Sequence, residues 1–157
     1  MTRAYISVGS NLAGPLGGRE KYLAAANNAL DQSPGVHILR MSPTIETAPM
    51  GGPSGQGPYL NTVWELETTL SARAMLTLLL EIERALGRER KTKNGPRVID
   101  LDLLLHGDEV VNTPDLVVPH PEMHLRRFVL EPLVALDPGV THPLLGKTVA
   151  QLLSDLP

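Results

Sequence analysis

Residues 94–105 read Asn94-Gly95-Pro96-Arg97-Val98-Ile99-Asp100-Leu101-Asp102-Leu103-Leu104-Leu105. Gly-Pro marks a turn before the apolar run, and His106-Gly107-Asp108 marks another after it. A run this short, rich in branched apolar residues, reads as a buried β-strand. Side chains on a strand alternate between faces. Ile99, Leu101, Leu103 and Leu105 therefore share one wholly apolar face, while Val98, Asp100, Asp102, Leu104 and His106 share the other. This sets two carboxylates on one face, roughly 7 Å apart along the strand. Like charges so placed repel, and one takes a proton unless a cation lies between them. A divalent metal meets that need, because Mg²⁺ takes hard oxygen donors and is commonly held by one or two carboxylates plus substrate phosphates. The plainer alternative is an edge strand with solvated aspartates.

The segments on either side favour the metal. Upstream lies a basic loop, Arg88-Glu89-Arg90-Lys91-Thr92-Lys93-Asn94, with Arg97 beyond it. Arginine forks match phosphate oxygens and lysine supplies point charge. Each cation alone is as well explained by a solvated loop, but the cluster beside Asp-x-Asp suits a metal-bound polyphosphate. Downstream, Val117-Val118-Pro119-His120-Pro121 is extended, and the prolines stiffen the backbone around His120. Its imidazole is placed either to donate to a phosphate oxygen or to cap and pack. Arg126 and Arg127 follow, and His124 reads as surface. Glu109-Val110-Val111 reads as a short return strand closing a hairpin with the Asp-x-Asp strand. Residues 122–136 read as helix in two pieces, ended by Asp137-Pro138-Gly139. Thr141-His142-Pro143 looks like packing, and residues 149–153 form a last short helix.

In the first half, Ala4-Tyr5-Ile6-Ser7-Val8 reads as a strand ending at Gly9-Ser10-Asn11. Residues 19–32 space Tyr22, Leu23, Ala26, Ala29 and Leu30 as a helix does. Val36-His37-Ile38-Leu39-Arg40-Met41 is a second strand, and Thr44-Ile45-Glu46-Thr47 extends it or forms a third. Residues 48–58 are dominated by Gly and Pro and form a loop. In the long strand 59–68, Leu60, Thr62, Trp64 and Leu66 share one face, and Tyr59, Asn61, Val63, Glu65 and Glu67 the other. Ser71 caps a helix running to about Gly87. Tyr59, Asn61 and Phe128 form a third group of interest. Two rings can sandwich a flat heterocycle whose edge an asparagine amide reads, although core packing explains each aromatic as well.

Composition narrows the class. The chain has 157 residues, no cysteine and a net charge of −3. This excludes a disulfide framework, thiolate chemistry and a zinc–thiolate site, and it disfavours a general nucleic-acid binder. Gly and Pro number 14 each, which implies long ordered loops. No run has the length or character of a signal peptide or a membrane span, so a cytoplasmic protein of one domain, residues 1–157, is expected. No Gly-x-x-x-x-Gly-Lys-Ser/Thr loop occurs, so any phosphate is handled by loop cations and metal. The order of elements is close to a split βαβ plan: an α+β domain with a mainly antiparallel or mixed sheet and helices over one or both faces.

The run Gly95-Pro96-Arg97-Val98-Ile99-Asp100-Leu101-Asp102, with Val118-Pro119-His120-Pro121 and Arg126-Arg127-Phe128-Val129-Leu130-Glu131-Pro132-Leu133, resembles the 6-hydroxymethyl-7,8-dihydropterin pyrophosphokinases of folate biosynthesis. Val8-Gly9-Ser10-Asn11-Leu12, Thr47-Ala48-Pro49-Met50-Gly51 and Tyr59-Leu60-Asn61 match as well. The resemblance implies a ferredoxin-like αβα sandwich, with ATP as co-substrate and transfer of its pyrophosphate to the pterin hydroxymethyl group, releasing AMP. It implies two Mg²⁺ ions on Asp100 and Asp102, with Arg88 and Arg97 completing the catalytic set. Glu83, Arg88, Arg90, Lys91, Arg97, His120 and Arg126 would bind ATP. Thr47, Pro49, Tyr59, Asn61 and Phe128 would bind the pterin. A monomer is expected, with ATP and the pterin as its small-molecule partners and neither nucleic acid nor membrane. Asn94 and Pro121 stand where some members carry tryptophan and tyrosine, and the basic loop is one residue shorter. The rival classes are a non-catalytic ligand-sensing module and an RNA-binding module of like topology. The first has no need of a carboxylate pair beside clustered arginines. The second is opposed by the acidic charge.

Overall fold

The computed structural model describes residues 1–48, 57–87 and 98–157. Its elements run β1 (Thr2–Ser10), α1 (Arg19–Asp31), β2 (Val36–Met41), β3 (Ile45–Thr47), β4 (Tyr59–Thr68), α2 (Ala72–Ala85), β5 (Asp100–His106), β6 (Val111–Thr113), β7 (Leu116–Val118), a 3-10 turn (Met123–Leu125), α3 (Arg127–Leu136) and α4 (Val149–Ser154). The main sheet has the order β2-β4-β1-β5 with every neighbour antiparallel, and β3 also pairs with β4. That is the ferredoxin-like order, and helices cover both faces.

Local sequence explains the helices. Ser71 caps α2 by accepting the Ala74 amide at 3.1 Å, as its sequence position foretold. Met75, Leu79 and Ile82 follow on its buried stripe. Helix α1 buries Tyr22, Ala26 and Leu30 at four-residue spacing. Both helices pack on the sheet face carrying Ala4, Ile6, Val8, Trp64, Leu66, Leu101 and Leu103. Helices α3 and α4 pack on the other face, over Tyr5, Val63, Leu104 and Leu105. Thr148 and Gln151 form a reciprocal capping box that starts α4.

Glu65, 1% exposed, ties this second face together. It accepts the Tyr5 hydroxyl at 2.6 Å and the Arg40 guanidinium at 2.8 and 3.0 Å. The Arg40 hydrogen bond holds its carboxyl below the usual range, while burial pushes the Tyr5 hydroxyl up. Arg40 also donates to the Leu136 carbonyl at 2.9 Å, anchoring the end of α3 beside β2.

Three expectations fail. The register between β1 and β5 shifts after Tyr5, so Tyr5 faces Leu105 and Ala4 faces His106. Leu105 therefore leaves the apolar face of Leu101 and Leu103 and joins Leu104 under α3. His106 turns away from the aspartates' face, and its Nε2 lies 2.9 Å from the Leu70 carbonyl. The return strand after β5 does not pair with it: β6 pairs with β7 in a separate two-stranded sheet. Also, His124 is half-buried and meets His142 edge-on at 6.1 Å between ring centroids, so it is no free surface residue.

Candidate active site

The antiparallel register lines up Asp100 of β5, Gly9 of β1, Asn61 of β4 and Ile45 of β3 in one row. Asp102, Ser7 and Val63 form the next row. Residues paired across a sheet share a face, and neighbouring strands lie about 4.8 Å apart. Asp100 and Asn61 are thus separated by one intervening strand, roughly 10 Å at the backbone, on the face that α3 packs against.

Gly9 keeps the ground between them low. A Cβ there would come 3.1 Å from Asn61 Oδ1 and 3.4 Å from the Leu60 carbonyl. Asn61 is 5% exposed, and its Nδ2 donates to Thr47 Oγ1 at 2.6 Å. This bond fixes the amide plane between two strands. Tyr59, half-buried, stands two residues along β4 from Asn61 on the same face.

Phe128 reaches this level because α3 has the right length. The helix is anchored at Leu136, close to Arg40 and Glu65. From Leu136 back to Phe128 is about 12 Å of helix, and from Glu65 back to Asn61 is about 13 Å of strand. The helix also touches β3, beside Asn61 and Thr47. Arg126 lies over the Phe128 ring, 5.6 Å from its centroid.

His120 follows β7 and donates its backbone amide to the Leu104 carbonyl at 2.9 Å. Its Nδ1 accepts the Glu122 amide at 3.1 Å, which leaves the proton of the neutral ring on Nε2. Burial, then the charge of Arg126, lowers its pKa, while Glu122 and Asp100 oppose the shift. The same groups show that His120 lies within electrostatic reach of both Arg126 and Asp100. Arg126 in turn pairs with the Glu122 carboxylate.

Glu83 meets the aspartates' strand at its backbone. It is 3% exposed on α2, and its Oε2 accepts the Leu101 amide at 2.7 Å, at the outer edge of that strand. Asp100 and Asp102 are half-buried hard-oxygen donors. Among the described residues no group of three His, Cys, Asp or Glu side chains is placed to hold a metal.

The structure thus brings together Asp100, Asp102, Asn61, Thr47, Tyr59, His120, Arg126 and Phe128, and sets Glu83 at the outer edge of β5, on the Leu101 amide between the aspartates. Pro49, Arg88, Arg90, Lys91 and Arg97 lie outside the described residues, as do nearly all of loop 48–58 and of loop 87–95. Sequence reading missed Gly9 as the floor, although Val8-Gly9-Ser10-Asn11-Leu12 carries its signal, and missed Ser7 beside Asp102, which lies just before that motif. It also missed Glu122, which binds His120 through its amide and Arg126 through its carboxylate; no motif marks it.

The family model for 7,8-dihydro-6-hydroxymethylpterin-pyrophosphokinase (HPPK) matches residues 5–138. The chain belongs to this family. The 2-amino-4-hydroxy-6-hydroxymethyldihydropteridine pyrophosphokinase of Bacillus subtilis is 43% identical over 130 residues, covering 83% of this chain and 75% of its own. The Pseudomonas aeruginosa protein of the same name is 39% identical over 155 residues, covering 99% and 92%. Among solved structures, a Plasmodium falciparum HPPK-DHPS chain superposes with a TM-score of 0.77 at 13% identity. It covers 98% of this chain, which spans only 43% of the Plasmodium chain, and it bears on the fold alone. The HPPK family's reaction moves pyrophosphate from ATP to the hydroxymethyl group of 6-hydroxymethyl-7,8-dihydropterin, a step in folate biosynthesis, and the chain is an ATP-dependent pyrophosphokinase.

Proposed function

We propose that this HPPK divides the transfer across the row Asp100–Gly9–Asn61, which is the observation that carries the reading. Asn61, fixed by Thr47, reads the pterin edge above the Gly9 floor, together with the backbone near Thr47 and Pro49. Tyr59 and Phe128 hold the ring by stacking. Asp100 and Asp102 would hold two Mg²⁺ ions, which would supply charge neutralisation at the transferred group. The pair fits that role because it offers hard oxygens and leaves room for phosphate ligands. His120 donates Nε2–H to a phosphate oxygen, and Arg126 adds charge beside it. By the resemblance, Glu83 lies near the nucleotide. Arg88, Arg90, Lys91 and Arg97 supply the remaining cations, by the family's pattern. Such transfer depends on positioning and charge neutralisation more than on covalent help.

Residues 1–157 act as one pyrophosphokinase domain in this reading, because the two core clusters share one sheet. Among the described residues no helix is long and apolar enough to cross a membrane. A cytoplasmic monomer fits the acidic, cysteine-free composition.

The test is AMP formation from ATP, with and without Mg²⁺ and with and without the pterin. AMP that appears only with both supports the reading. ADP in its place makes the chain an ordinary kinase on the same site, and pterin binding without turnover makes it a sensing module.

A further inference from the structure

We infer that Glu83 is a positioning residue that sets the Asp100–Asp102 pair by holding the strand between them. Strand β5 ends the strand order of the main sheet, and β1 occupies its inner edge. In an antiparallel pair, successive residues alternate between hydrogen-bonding to the partner strand and pointing away. Leu101 donates its amide to Glu83, so it points away from β1, and Asp100 and Asp102 on either side point their backbone groups toward it. An outward amide on a buried edge needs an acceptor. Glu83 Oε2 supplies one at 2.7 Å from the last turns of α2. An amide–carboxylate bond is charge-assisted and stronger than a neutral one.

Three observations support this role over direct metal ligation. Leu101 packs its side chain into the α1–α2 core, on the face opposite the aspartates, so the bond pins the strand against α2. Among the described residues no third acidic or histidine donor joins the pair, so Glu83 stands outside its donor set. Finally, Glu83 is 3% exposed, with Oε2 engaged by the backbone. Helix α2 thereby fixes the height at which both carboxylates emerge from the sheet, much as an outer-shell partner orients a metal ligand.

This inference rests on Asp100 and Asp102 being the metal-holding pair. Its test compares Glu83→Ala and Glu83→Gln with the wild type, using Mn²⁺ in the presence of α,β-methylene-ATP as the binding probe. In metal-free Glu83→Ala the Leu101 amide exchanges its hydrogen at least about tenfold faster. Mn²⁺ affinity falls by about 10–100-fold, the range for losing an outer-shell partner. Glu83→Gln keeps an acceptor oxygen on the same chain length, and it retains Leu101 protection and Mn²⁺ affinity within about threefold. Wild-type Mn²⁺ affinity in Glu83→Ala with a faster Leu101 amide overturns the inference. So does a Glu83→Gln variant that protects Leu101 yet loses nucleotide affinity, because that marks a direct charge contact. If Glu83→Ala does not fold, the Glu83→Gln result decides alone. Asp102→Asn is measured alongside: unchanged Mn²⁺ affinity there refutes the metal reading of the pair and removes the role of Glu83 with it, whereas lost affinity there beside an indifferent Glu83→Ala sinks only the present inference.

Discussion

Replacing Gly9 with alanine tests the floor of the site with the smallest possible change. An ideal Cβ at Gly9 stands 3.1 Å from Asn61 Oδ1 and 3.4 Å from the Leu60 carbonyl. Carbon–oxygen contacts are comfortable at about 3.3–3.6 Å, so the Leu60 contact is tolerable and Asn61 must give by a few tenths of an ångström. Asn61 has little slack, since it is 5% exposed and its Nδ2 is held 2.6 Å from Thr47 Oγ1. The amide therefore turns away from the geometry in which it is proposed to read the pterin. Losing the worth of one neutral hydrogen bond, about 0.5–1.5 kcal/mol, weakens pterin binding by roughly 2–13-fold. Stability moves little. Gly9 is not among the glycines in the left-handed region, so alanine fits its backbone and gains about 0.4–1 kcal/mol through the unfolded chain, which offsets the crowding. The assay is calorimetric titration of the pterin into wild type and Gly9→Ala, beside thermal unfolding of each. Unchanged pterin affinity at unchanged stability refutes the floor argument. An equal loss of ATP affinity refutes the assignment of this end of the row to the pterin.

Other expectations follow from the same geometry. Asp100→Ala and Asp102→Ala each cut turnover by at least about 10²-fold, the scale of losing one electrostatic stabiliser, while circular dichroism shows the fold intact; wild-type-like turnover in either variant sinks the metal role. His120, whose pKa burial and Arg126 lower, stays neutral in the folded state at pH values where the unfolded chain, with a pKa of about 6.5, has taken a proton. Stability is therefore complete above about pH 6.5 and falls as the pH drops toward the depressed value; His120→Gln flattens that slope in urea titrations between about pH 5 and 7, leaving the share of His142, whose burial shifts it the same way, and an unaltered slope contradicts the assignment. Tyr5→Phe removes a buried donor to a charged carboxylate and costs about 1.5–3 kcal/mol in urea unfolding with turnover unchanged; a matching loss of turnover would show that the Glu65 network reaches the site.

Period-two alternation made much of this site legible in the sequence. It set Asp100 beside Asp102 and Tyr59 beside Asn61 on the faces they occupy, because each pair lies within one strand where sterics fix the alternation. It failed at Leu105 and His106, because the register shift opposite Tyr5 belongs to the pairing with β1, nearly a hundred residues away in the chain. The mistaken hairpin has a physical reason too. The outer edge of β5 is taken up by Glu83 at the Leu101 amide and by His120 at the Leu104 carbonyl. A return strand would compete with these two contacts, and Val111–Thr113 pairs with Leu116–Val118 instead. The floor was illegible for the same reason as the shift: Gly9, Asn61 and Asp100 meet only once three strands are in register.

The sheet face under α3 does two jobs at two ends of the same strands. At one end of β4, Glu65 joins Tyr5 of β1 to Arg40 of β2, and Arg40 holds the carbonyl end of α3. At the other end Asn61 faces the Gly9 floor and the Asp pair. A buried carboxylate needs permanent partners, and Glu65 has them within the chain. On the proposed reading, the half-buried aspartates meet substrate-borne cations, which would tie part of their neutralisation to binding. Helix α3 links the ends as a spacer, since its anchor at Leu136 sets how far Phe128 reaches. Lengthening or shortening the helix by one residue between Phe128 and Leu136 rotates the ring by about 100° around the axis. The aromatic wall is therefore specified by the register of the whole helix as much as by the identity of Phe128.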